Sequence, residues 1–78
     1  MINDLLYNDR EIRENLRRQS DIRLLLIVEN ANQSIKEGHD FASLYQTWSI
    51  GVDVLKERGF EILRTTDVQK YIEKLGGR

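Results

Sequence analysis

Apolar positions recur with a helical period over the first half of the chain. From Ile12 they fall at Leu16, Leu24, Ile27, Val28, Ala31 and Ile35, with the small Ser20 filling the one gap. Steps of three and four residues put such positions on one helical face. Asn8 followed by Glu11 reads as the helix start, a capping side chain with an acid three residues on. Gly38 reads as its end, in the usual glycine position after a helix. A single helix from 8 to 37 would be ~45 Å long, too long for so small a globule to cover. Either the chain breaks at Gln19-Ser20, with Ser20 capping a second helix, or a second copy covers the long helix. The run Leu24-Leu25-Leu26-Ile27-Val28 is apolar all round a helix and needs cover on more than one side.

Residues 40–58 fit two patterns. In the first, Phe41, Leu44, Tyr45, Trp48, Val52 and Leu55 share a helical face with Asp40 as cap. Gly51 then costs that helix ~1 kcal/mol relative to alanine. In the second, Phe41–Gln46 is a short strand and Thr47 or Ser49 caps a shorter helix to Arg58. Gly59 ends the helix either way, and Leu55 and Phe60 hold the two positions that touch across a Schellman cap. Phe60-Glu61-Ile62-Leu63 then reads as extended, and a strand must place its backbone hydrogen bonds somewhere. Phe41–Gln46 is the nearest partner. This argument favours an α+β fold, predominantly helical: a long N-terminal helix or helix pair, a short two-stranded element and a C-terminal helix. The alternative is an all-α helical bundle. The last helix is capped by Thr66 or Asp67, carries Val68, Tyr71, Ile72 and Leu75 on one face, and ends at Gly76-Gly77.

Residues 31–63 are similar in layout to short uncharacterised proteins encoded by bacteriophages. In those, a helix ends in glycine, a short segment and a second helix follow, and that helix closes with a leucine, a glycine, an aromatic residue and a β-branched one. The matching residues are Ile35, Gly38, Leu55, Gly59, Phe60 and Ile62. The resemblance implies a phage-encoded accessory protein in the host cytoplasm. It carries over no catalytic or ligand residue.

Composition narrows the function more than the fold. The 78 residues make one small domain, 1–78, with no cysteine and one histidine, His39. A disulfide framework is excluded, and a structural zinc site has no ligand set. Small domains without such staples commonly associate, so a homodimer or higher oligomer is expected. Its anchors would be Leu24, Leu25, Ile27, Val28 and Ala31. His39 has no nucleophile or orienting group at recognisable spacing, and Ser20, Ser34, Ser43 and Ser49 lie in no nucleophile-elbow context. No glycine-rich phosphate loop occurs, so neither an enzyme nor a cofactor is expected.

Two binding surfaces compete for the remaining function. Phe41, Tyr45 and Trp48 form an aromatic stripe if their segment is helical, suited to the core or to partner docking through Tyr45 and Trp48. Arg10, Arg13 and Arg17 share a helical face that could track phosphates, joined in sequence by Arg18 and Arg23. Residues 1–23 nevertheless carry five charges of each sign, and Glu14 sits four residues before Arg18 as an intrahelical pair. The reading is therefore a protein-binding or assembly module acting as a homo-oligomer, with a host or phage protein as possible partner. The alternative is a nucleic-acid-binding protein using the arginine face. A small ligand held between subunits has no specific support. No apolar run approaches the ~20 residues needed to span a bilayer, and the start lacks the features of a signal peptide, so a cytoplasmic location is expected.

Overall fold

The computed structural model describes residues 8–39 and 41–76. Over these the chain forms four helices and no strand: α1 (Asp9–Arg17), α2 (Asp21–Lys36), α3 (Ala42–Glu57) and α4 (Thr65–Gly76). The all-α alternative is therefore the one that fits, and the α+β fold with a two-stranded element is corrected.

Local chemistry explains most boundaries. Asn8 Oδ1 accepts from the backbone N–H of Arg10 at 2.8 Å and of Glu11 at 3.4 Å, opening α1. Ser20 Oγ accepts from Arg23 N–H at 3.3 Å and opens α2, so the long stripe does break at Gln19-Ser20. Gly38 and Gly59 have φ of 100° and 98°, a left-handed conformation that other residues rarely adopt. Each closes its helix in a Schellman motif: His39 N–H reaches Ser34 O at 3.1 Å, and Phe60 N–H reaches Leu55 O at 3.0 Å. Asp40, expected to cap α3, lies outside the described residues. The residue at the cap position is Phe41, whose side chain makes no capping hydrogen bond.

The strand expectation failed because residues 60–64 have other backbone partners. Phe60 N–H is bound by the Schellman cap. Glu61 N–H donates to the Tyr71 hydroxyl at 3.2 Å. Leu63 and Arg64 N–H both donate to Asp67 Oδ2, at 2.8 and 3.0 Å. Side chains of α4 thus bind three of the N–H groups that a sheet would have used. Thr66 and Asp67, the expected caps, both lie inside the first turn of α4, and Asp67 accepts from the backbone just ahead of the helix.

The helices pack in the spatial order α1, α3, α2, α4, with α3 and α2 as the inner pair. α2 runs antiparallel to α3, since Asp21 meets Arg58 and Val28 meets Gly51. It also runs antiparallel to α4, since Ile22 lies against Gly76. Leu24, Leu25, Val28, Val54, Leu55 and Val68 are fully buried between them. The close approach at Gly51 is specific: a Cβ there would land on Val28 Cγ2. Arg58 ties the ends together, donating to Asp21 at 2.8 Å and to the carbonyls of Arg17 and Gln19 at 2.9 and 2.8 Å. A guanidinium is suited to these carbonyls, which the end of α1 leaves without helical partners.

Candidate partner-docking site

Four of the five proposed self-association anchors, Leu24, Leu25, Val28 and Ala31, are buried within a single chain. Ile27 is half-buried against the same core. An all-round apolar helix needs cover, and here α3 and α4 supply it on two sides. The four buried side chains are unavailable as a surface for a second copy.

The arginine face remains at the surface but is turned toward α3. Arg13 donates to Asp53 at 3.2 Å, and Arg17 reaches Glu57 through its Nε and Nη2 at 3.2 and 3.0 Å. The hydrogen bond and charge of Arg17 hold the Glu57 carboxyl below its ordinary range, and Glu57 raises the Arg17 pKa in return. Arg10, Arg18 and Arg23 are exposed and form no salt bridge among the described residues. No local signal in residues 1–23 could have revealed the pairing, since Glu57 lies 40 positions beyond Arg17.

α3 and its cap residue carry a row of side chains that is apolar over most of its length and partly exposed. Phe41, Tyr45, Trp48, Val52 and Lys56 succeed one another at steps of three and four, so they share one face. Phe41 is 58% exposed and Tyr45 46%, whereas Trp48 and Val52 are partly buried against the core. His39 stacks on Phe41 with ring centroids 6.4 Å apart, extending the row by one ring. The expected docking pair Tyr45 and Trp48 therefore occupies one continuous strip, with Tyr45 the more accessible.

Beyond Trp48 the strip enters a cleft. α3 and α4 each pack on α2 but scarcely on each other, which leaves a groove of about 300 Å³ between them. Its lining includes Trp48, Val52, Ile62 and Val68, with Lys56 and Arg64 as its two cations. Leu63, 83% exposed, also borders a second groove of about 460 Å³ lined by Arg64, Lys70, Tyr71 and Lys74 together with Glu61 and Asp67. The turn bearing Leu63 and Arg64 is fixed from below. The backbone N–H groups of Leu63 and Arg64, in that order, pull the Asp67 carboxyl below its usual range. The Tyr71 ring meets Phe60 edge-on at 4.9 Å. Nothing in the sequence reading assigns Lys56, Leu63 or Arg64 to a binding surface. The one local hint was an aspartate three and four residues after two residues that needed amide acceptors.

Other candidate chemistry is sparse. His39 is exposed, 3.9 Å from Glu37 in its own turn. Ser20 serves as a cap. Among the described residues no group of three or more His, Asp or Glu side chains could hold a metal ion, and no helix is long and apolar enough to cross a membrane. No family model matches the chain, and comparisons with curated proteins and with solved structures gave no match, so the phage-protein resemblance gains no support from them.

Proposed function

We propose that this protein is a small docking module whose partner lies along the outward strip of α3. The observation that carries this reading is the strip itself: Phe41 and Tyr45 remain exposed on a helix whose other face builds the core. Exposed aromatic rings grouped on one rigid element offer large contact area at small entropic cost, as in interface hot spots. Assembly with a second copy, where it occurs, would use this strip rather than Leu24, Leu25, Ile27, Val28 and Ala31. The resemblance in residues 31–63 would make the module a phage accessory protein.

A second reading keeps nucleic acid as ligand. It is favoured over self-assembly through α2 in one respect: its arginines stay at the surface, while the apolar anchors are inside. It is weakened by Asp53 and Glu57, which already engage Arg13 and Arg17.

The docking reading is tested with immobilised wild-type protein beside the double variant Phe41→Ala/Tyr45→Ala. Both side chains are exposed, so the variant should keep the wild-type helicity and melting temperature. A partner retained by the wild type and lost by the variant is the expected result. Retention of the same partner by both would remove this reading.

A further inference from the structure

The charge around the cleft differs from that of the chain. Overall the protein carries a formal charge of −1. The two grooves that meet at Leu63 and Arg64 bring together four cations, Lys56, Arg64, Lys70 and Lys74, against two carboxylates, Glu61 and Asp67. Asp67 accepts from two backbone amides and lies 3.9 Å from Lys70, so its charge is already engaged within the turn. Lys56 and Arg64 are exposed and form no salt bridge among the described residues. They flank an apolar floor. A slightly acidic protein thus presents a locally basic, apolar cleft.

We propose that the occupant is an acidic amphipathic helix of a partner protein, its apolar face on the strip and its carboxylates against Lys56 and Arg64. This deepens the docking reading and rests on it. Phe41 to Lys56 spans ~22 Å at ~1.5 Å per residue, the length of about four turns of a partner helix. Anchors spaced at i, i+3 and i+7 on that helix would match the spacing of Tyr45, Trp48 and Val52. The complementary rim would choose among partners and steer their approach, the usual contribution of charges around an apolar interface. A single-stranded nucleic acid is the poorer fit. Its bases could stack on Phe41 and Tyr45, but Trp48, the ring that lines the cleft with Lys56 and Arg64, is packed against the core.

The test uses three defined probes and the emission of Trp48, the chain's only tryptophan. The first is a tryptophan-free helical peptide with leucine and phenylalanine on one face and glutamate on the other. The second has lysine at every glutamate, and the third is a single-stranded oligonucleotide. At low salt the glutamate peptide should bind about tenfold or more tightly than the lysine peptide, and added salt should narrow the gap. Lys56→Glu/Arg64→Glu should abolish or reverse the preference, while Phe41→Ala/Tyr45→Ala should weaken both peptides.

Equal affinity for the two peptides, or a preference that survives Lys56→Glu/Arg64→Glu, overturns the acidic partner and leaves the docking strip standing. Peptide binding that ignores Phe41→Ala/Tyr45→Ala overturns the strip itself. No binding of the glutamate peptide also overturns the acidic partner, and the retained-partner comparison above then judges the strip alone. Tighter binding of the oligonucleotide, lost in Lys56→Glu/Arg64→Glu, replaces the peptide with a polyanion. Circular dichroism of each variant separates lost binding from lost folding.

Discussion

Arg58 joins the end of α3 to the turn between α1 and α2. Its guanidinium serves Asp21 and the carbonyls of Arg17 and Gln19, so the end of α3, the end of α1 and the start of α2 share one side chain. Hydrogen bonds to a charged group of this kind contribute ~1.5–3 kcal/mol each at most, and their joint loss is smaller than the sum. Arg58→Ala is expected to destabilise by about 2 kcal/mol, a fall of roughly 10 °C in melting temperature for a domain this small. Arg58→Lys should recover only part, because an ammonium cannot fork across several acceptors. A melting temperature unchanged in Arg58→Ala would show that the clasp is incidental. Nothing in the sequence around Arg58 distinguishes it from other basic residues near a helix end. Its role depends on acceptors about forty positions away. The caps were legible for the opposite reason: Asn8, Ser20, Gly38 and Gly59 act on neighbours within a few residues, and local spacing records that.

Helices show the same division between local and distant causes. Residues 41–46 looked equally good as strand because strand and helix patterns overlap over so few residues. The demand that decided wrongly for a strand was that residues 60–63 find hydrogen-bond partners, which Tyr71 and Asp67 supply instead. The strip on α3 was legible in its spacing, whereas the cleft beside it was not. The cleft exists because α3 and α4 both lean on α2, a fact of packing that no single segment contains. Gly51 was read as a cost to α3, and the contact with Val28 gives that cost a purpose. Substitution by alanine gains ~1 kcal/mol of helix propensity but overpacks a site where such strain costs ~1–3 kcal/mol. Val28 is fully buried and stiff at χ1, so it has little room to yield. Gly51→Ala is therefore expected to lose about 1 kcal/mol in denaturant unfolding. A gain in stability would mean that α2 and α3 can separate freely at this point.

For the molecule as a whole, acid is the simplest probe of what the carboxylates contribute. Asp67 and Glu57 both have folded-state pKa values below their ordinary range, near about 4 in an unfolded chain. A depressed carboxyl stabilises the fold fully above its unfolded pKa and loses that contribution as pH falls through its folded value. Stability should therefore be level above about pH 5 and decline as pH drops through and below about 4. Asp67→Asn should flatten part of that decline. An acid profile identical in wild type and variant would show that the turn at Leu63 and Arg64 does not depend on this charge. The anchors read as a self-association surface were apolar enough for that use. Four of them are inside because α3 and α4 both pack on α2.

The order of packing has a consequence for synthesis. α1 precedes α2 in the chain but rests chiefly on α3, through Arg17 and Glu57 among others, 40 residues apart. A ribosome delivers the chain in sequence, so α1 leaves the exit tunnel well before the helix that covers it. Until α3 follows, Ile12 and Leu16 are without the part of the core that shields them in the finished protein. The nascent chain therefore offers chaperones and proteases a site that the completed fold conceals.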